Sequence, residues 1–392
     1  MNKKLGILIF INATILLLIA NQLSISFHES ELFFNSNSAL SYIVRASVTL
    51  FGQNDIAIRI PMIILHILSV YFLHEISKPI LSNEKERIYM VAIFMMLPGV
   101  ISASVLVNSA GLVIFLTLFY LYERERNELF SYFILVIMLF IDPAFAVLYL
   151  SLFVYAIYER KSHFAVVMIT LFIASMFIFG YDTGGKPKTY FIDTFAIYAA
   201  IFSPLLFVYF FYTLYRTLIK EKKSLLFFIA SVSLGFSLLL SFRQRIAIES
   251  FAPFLIISIP LVAQMFLLSY RIRLKEHRSF YKNLLSIVVA TLILSSLVII
   301  FNPLWYYIIK NPNKHFARNH HISKDLAYEL KNMGILNVKC DDVRMNDRLR
   351  FYGIGSKNEY SLSQHVKPNS KKVTIRYIGA LAANYYVTKI PK

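Results

Sequence analysis

Residues 129–158, LFSYFILVIMLFIDPAFAVLYLSLFVYAIY, run apolar for thirty positions and are interrupted only at Asp142-Pro143. One helix of that length would extend about 45 Å, against a bilayer core of about 30 Å. It would also carry a charge and a helix breaker at mid-depth. Two short helices meeting at Asp142-Pro143 fit better, and that choice sets the orientation of everything after it. Other runs that cross, or nearly do, are 5–23, 57–77, 88–106, 107–122, 164–180, 195–219, 224–242, 250–270 and 283–304. The sequence therefore predicts an α-helical polytopic membrane protein with eleven transmembrane helices.

Charge agrees with this count. Segments 1–4, 78–88, 123–128, 159–163, 216–223 and 271–282 share one side and carry eighteen Lys and Arg. The opposite loops carry only Arg45, Arg59, Lys186, Lys188, Arg243 and Arg245. Basic loops stay in the cytoplasm. A single span at 129–158 would put the nine positives of 216–223 and 271–282 outside. The expectation is an inner-membrane protein with its amino terminus cytoplasmic and its carboxyl-terminal region periplasmic.

Composition excludes the other classes. The 392 residues are 57% hydrophobic and 16% charged, with a mean hydropathy of +0.61. Soluble domains run at about 45–50% apolar and about 25% charged. A net charge of +18 could suggest nucleic acid, but the topology accounts for most of it, and no nucleic-acid partner is expected. Cys340 is the sole cysteine, so no intrachain disulfide can form. The run after Asn2-Lys3-Lys4 has about 19 apolar residues and no small-residue cleavage site, and reads as a retained anchor.

Four outer pieces remain. Loop 24–56 contains 39–51 (ALSYIVRASVTLF), which is too short to span and suits a helix lying in the interface. Loop 181–194 has turn residues Gly184, Gly185 and Pro187, with solvated Lys186 and Lys188. Loop 243–249 reads RQRIAIE. The tail carries 16 Lys and Arg against 6 Asp and Glu. It predicts a helix over Ser323–Met333 stopped at Gly334, and strands at LNVKC, VTIRYIG and NYYVTKI. The expected division is a transmembrane domain over 1–304 and a small extracytoplasmic α/β domain over 305–392.

Candidate chemistry gathers on the outer side. Phe27-His28-Glu29-Ser30-Glu31 follows the first span. Its carboxylates and imidazole suit activation of a hydroxyl or binding of a cation, although acidic stretches there are also ordinary solvated loop. Arg59 reads as a snorkelling anchor or a phosphate clamp. Arg243 and Arg245 run against the charge bias, as binders of an anion or as interfacial anchors. Asp142 alone is uninformative. His315, His320 and His321 lack ligand-like spacing with Cys340, which argues against zinc. Walker A, Rossmann and G-x-S-x-G motifs are absent.

Leu50-Phe-Gly-Gln-Asn-Asp-Ile-Ala-Ile-Arg-Ile-Pro61 resembles the LFG-x-S-x-x-A-x-R-L-P segment of GT-C class membrane glycosyltransferases. The nearest branch is family 39-like, that of protein O-mannosyltransferases and aminoarabinose transferases. SALSYIVRASVTLFG resembles the family's interface helix, with Ser38-Ala39-Leu40 where a Pro-Pro-Leu is usual. SFRQRIAIESFAPFLIISIPL resembles a later span, and Arg348-Leu-Arg-Phe-Tyr352 with Gly353 resembles a stretch of the family's carboxyl-terminal domain. The Trp-Trp-Asp-Tyr-Gly signature of oligosaccharyltransferases is missing.

The resemblance implies transfer of a sugar from a polyprenyl phosphate to a glycan, lipid A or protein acceptor on the outer side. Glu29 would take the acceptor's proton, with Glu31 as support or substitute. Arg59, Arg243 and Arg245 would hold the lipid phosphate. No cofactor is implied, and a need for divalent metal stays open. Three positions depart from the family pattern: His28 for an aspartate, Asn108 for an acidic residue and Asp142-Pro143 for a Lys-Gly. These leave open a catalytically lapsed member serving as a scaffold or assembly factor. A transporter fits less well, because the polar groups gather on the outer face rather than at mid-depth.

Overall fold

The computed structural model describes residues 3–180, 189–309, 311–368, 370–377 and 379–390. The predicted turn at Gly184, Gly185 and Pro187, with Lys186 and Lys188, lies outside the described residues.

The chain opens with α1 (Lys3–Gln22), α2 (Phe27–Phe34), α3 (Ala39–Phe51) and α4 (Ile60–Ile76). It continues through α5 (Glu84–Met96), α6 (Pro98–Val105), α7 (Ser109–Arg124), α8 (Glu128–Met138), α9 (Phe145–Tyr158) and α10 (Ser162–Phe179). After these come α11 (Phe191–Phe202), α12 (Pro204–Lys220), α13 (Leu225–Ser241), α14 (Ala252–Ile256), α15 (Ile259–Ile272), α16 (Lys275–Ile300) and α17 (Trp305–Ile308). The tail holds α18 (Ser323–Asn332), β1 (Asn337–Cys340), α19 (Val343–Phe351), β2 (Gly355–Ser363), β3 (Lys371–Tyr377) and β4 (Ala380–Lys389).

These elements form two compact units. One comprises Met1–Thr14, Met62–Ser104 and Asn108–Ser296; the other comprises Ile15–Pro61, Val105–Val107 and Leu297–Lys392. The second joins the tail with residues 15–61, a grouping by contacts and not by position along the chain. Hydrogen bonds across the chain explain this, among them Ser24 N–H to the His320 carbonyl at 2.8 Å and Gln53 Nε2 to the Phe351 carbonyl at 2.7 Å.

The first unit is all helix. Its core is aromatic and aliphatic, with Phe94, Tyr149, Phe207 and Phe254 fully buried. Most buried hydroxyls are satisfied locally: Thr117, Ser151, Thr213 and Thr217 each donate to the carbonyl four residues back. This spares those positions an unpaired polar group, while Ser175, Ser203 and Ser233 stay unpartnered. Gly111 lets α7 approach α6, since a Cβ there would lie 2.8 Å from the Ala103 carbonyl oxygen. The apolar run 129–158 is divided as expected into α8 and α9, with Asp142 Oδ1 accepting from Ala144 N–H at 2.8 Å.

By length and composition, four helices can cross a membrane: Lys3–Gln22, Ser162–Phe179, Ala252–Ile272 and Lys275–Ile300. The count rises to six if each bent pair is one span. The predicted eleven are not reached, and proline is one reason. Run 88–106 bends by 66° before Pro98, and run 195–219 bends by 105° before Pro204. Proline starts the following helix well but cannot continue the preceding one. Four other predicted spans contain apolar helices of only 10–17 residues: Ile60–Ile76, Glu128–Met138, Phe145–Tyr158 and Leu225–Ser241.

The second unit contains α2, α3 and a four-stranded sheet of order β1-β2-β4-β3. β1 and β2 pair in parallel, while β2–β4 and β3–β4 are antiparallel. A parallel pair needs a crossover, and α19 supplies it. Leu326, Leu330, Val338, Leu349, Leu362, Val373, Ile375 and Val387 form the core. α3 occupies the expected 39–51, and α18 stops before Gly334, whose φ is +70°. The three predicted strands form, but β2 and α19 were not foreseen. β2 reads GSKNEYSLS and is fully buried only at Leu362 and Ser363, so it lacks an apolar alternation. α19 buries an arginine, Arg348, between Met345 and Leu349.

Candidate functional site

The site lies within the second unit and begins with a local motif. Ser26 caps α2: its Oγ accepts from Glu29 N–H at 3.3 Å, while Glu29 Oε2 accepts from Ser26 N–H at 2.8 Å. This reciprocal S-x-x-E box turns the Glu29 side chain back toward the helix start. There it meets Arg59, with Nη2 at 3.1 Å from Oε2 and 3.4 Å from Oε1. Val107 N–H adds a donor to Oε1 at 3.1 Å. Glu29 is 2% exposed and Arg59 is 0% exposed, so both charges have left solvent. Pairing is what makes that tolerable.

Arg59 also closes the end of α1. Its Nη1 donates to the carbonyls of Ala20 (3.1 Å), Leu23 (2.7 Å) and Asp55 (3.2 Å), and Nη2 donates to Ser24 (3.1 Å). Carbonyls at a helix carboxyl end lack intrahelical donors and carry the negative end of the dipole. Both terminal nitrogens are thus engaged inside the fold, so the expected phosphate clamp is not exposed to a ligand in this arrangement.

A second layer comes from the tail. Asp55, buried four residues before Arg59, pairs with Lys324 Nζ at 3.0 Å. Tyr352 Oη donates to Asp55 Oδ1 and accepts from Ile25 N–H at 2.9 Å. Arg348 Nε donates to the Ile25 carbonyl at 3.2 Å, and Ser323 Oγ does so at 2.9 Å. His320 Nδ1 stands 3.8 Å from Glu29 Oε2.

Protonation follows from these neighbours. Burial alone would raise the Glu29 pKa. The charges of Arg59 and His320 and the N–H donors of Ser26 and Val107 outweigh it, and the carboxyl falls below its ordinary 4.5. His320 is lowered by burial and by Arg59 and Arg348, against the pull of Glu29. Burial raises the Tyr352 phenol, and the adjacent Asp55 raises it further. Glu29 is therefore a weak base whose lone pairs are already engaged.

The other expected residues have different surroundings. His28 and Glu31 are exposed and lie three residues apart on α2. Arg243 and Arg245 are exposed and belong to the first unit. Asn108 caps α7, accepting from Ala110 N–H at 3.1 Å. Among the described residues no group of three His, Cys, Asp or Glu side chains is placed to hold a metal ion. The Ser26-x-x-Glu29 box was available in the sequence as a signal that Glu29 folds inward. The Asp55/Arg59 spacing of four was a second signal.

Compared with known proteins, the chain matches no family model and no curated sequence.

Proposed function

We propose that the chain is a GT-C-like membrane glycosyltransferase that moves a sugar from a polyprenyl phosphate to an acceptor on the outer side of the inner membrane. One observation carries this reading. Two stretches that resemble the family, 50–61 and 348–352, meet Glu29's loop in one buried network, although Asp55 and Tyr352 are 297 residues apart. Eleven crossings, with α7 and the four shorter apolar helices spanning as well, belong to the same proposal.

In this reading the two carboxylates divide the work. Glu29 holds Arg59 and the loop in place. Glu31, exposed beside His28, is the group free to take a proton from an attacking hydroxyl. Arg243 and Arg245, also exposed, are the candidates for the lipid phosphate.

A second reading is a catalytically lapsed scaffold. It is favoured by the enclosure of Glu29 and Arg59, which leaves neither open to a substrate. Mass spectrometry of surface glycans and glycoproteins separates the two. The strains compared are a deletion, the deletion complemented with wild type, and the deletion complemented with Glu31→Gln at matched membrane levels. A sugar lost on deletion, restored by wild type and not by Glu31→Gln supports the transferase. An unchanged profile across all strains, with a deletion phenotype still present, supports the scaffold.

A further inference from the structure

A cavity of about 340 Å³ opens in the second unit, lined by Gln22, Ser24, His321, Lys324, Asp325 and Tyr377. Its volume is in the range of small-molecule sites. Its walls combine two kinds of surface. His321 and Tyr377 stack at 4.3 Å between centroids and 14° between planes, giving an aromatic wall. Tyr377 Oη is fixed by donating to the Gln22 carbonyl at 2.7 Å.

The charge balance is informative. The Lys324 ammonium is already paired with Asp55 at 3.0 Å. His321 is 1% exposed, and burial pushes its pKa down to about 3, so it adds no positive charge at neutral pH. Asp325 is half-buried, has no hydrogen bond or ion pair among the described residues, and feels the Lys324 charge at longer range. The cavity is left with a carboxylate that no side chain among the described residues donates to directly, while the lysine beside it is taken up by Asp55, a balance that disfavours a phosphate or a carboxylate ligand. A carboxylate accepts hydrogen bonds from hydroxyl or ammonium groups, and an aromatic wall offers an apolar body to a C–H face.

We propose that this cavity holds one neutral or amino-bearing sugar unit of the substrate, its hydroxyls donating to Asp325 and its ring face lying against Tyr377, which His321 backs from the buried side. This rests on the transferase reading and gives that reading a sugar pocket distinct from any phosphate site. The sugar could come from the acceptor or from the donor, and the chemistry is the same.

The test is calorimetric titration of the full chain in nanodiscs with methyl glucoside, methyl glucosaminide and methyl glucuronide. A short-chain prenyl-phosphate glucose forms a second arm. The uncharged or amino glycosides should bind at least tenfold more tightly than the glucuronide. Asp325→Asn and Tyr377→Leu should each weaken binding at least tenfold while thermal unfolding stays cooperative. Lys357→Ala, exposed on β2, should change nothing. Weakening confined to the methyl glycosides assigns the cavity to the acceptor, and weakening confined to the prenyl-phosphate glucose assigns it to the donor. Equal binding of the glucuronide, undiminished binding in both variants, or no binding of any probe overturns the proposal. The readout is independent of the glycan profile. A sugar lost on deletion without cavity binding overturns the cavity alone, and cavity binding with an unchanged glycan profile overturns the transferase alone.

Discussion

The two units solve the problem of buried polarity in opposite ways. In the first, buried polar side chains are mainly serines and threonines, with His66 and His74, and most of the hydroxyls bond to their own helix. In the second, Glu29, Asp55, Arg59 and Arg348 are all buried, and they are the only buried Asp, Glu, Lys or Arg among the described residues. A hydroxyl satisfied by its own helix leaves neighbouring helices free to pack by shape. A buried carboxylate or guanidinium needs specific partners brought from elsewhere in the chain, so it fixes which segments meet. The second unit is therefore held in register by charge, and substitutions should cost far more there.

The largest expected effect is at the ion pair. Arg59→Met leaves Glu29 buried without its counter-charge and should cost about 3–5 kcal/mol, read as a lower unfolding midpoint in nanodiscs. Adding Glu29→Leu should recover much of that loss, because replacing a buried pair with apolar groups is often neutral. Recovery that fails would show that Arg59's hydrogen bonds to the end of α1 dominate instead. Next comes Tyr352→Phe, which removes a donor to Asp55 and an acceptor for Ile25 N–H and should cost about 1–3 kcal/mol.

Acid should expose the same contrast. The folded Glu29 pKa lies below 4.5, so its contribution is present above 4.5 and is lost as pH falls through the lowered folded value. His321 adds to the loss between 6.5 and about 3, because the unfolded state takes up the proton first. Unfolding midpoints measured across that range should fall with pH, and Glu29→Gln should flatten the lower part of the curve. The smallest effect belongs to the first unit. Ser233 is buried with an unpartnered hydroxyl, so Ser233→Ala breaks no hydrogen bond and should cost no more than about 0.5 kcal/mol. A large loss there would erase the difference between the units.

Legibility in the sequence follows the same division. The break at Asp142-Pro143, the helix at 39–51 and three of the tail strands were readable because local pattern decides them. Prolines 98 and 204 lay inside apolar runs, and their effect on span count was legible but was outweighed by run length. Glu29 and Arg59 were singled out, but as reactive groups; the Ser26–Glu29 box that turns the carboxylate inward was overlooked. Lys324, Arg348 and Tyr352 could not be placed from local pattern, since their partners Asp55 and Ile25 lie roughly 270–325 residues away. β2 gave no signal because its burial comes from its central place in the sheet, not from its own residues.

The central claim is the proposal that Glu29 and Arg59 only hold the loop, as a pair that apolar side chains can replace, while Glu31 takes the proton. The direct measurement is sugar occupancy on surface glycans in the deletion strain complemented with Glu31→Gln or with the paired Glu29→Leu/Arg59→Met, at matched membrane levels. The account predicts occupancy lost with Glu31→Gln and retained with the paired swap. Occupancy retained with Glu31→Gln and lost with the paired swap would contradict it.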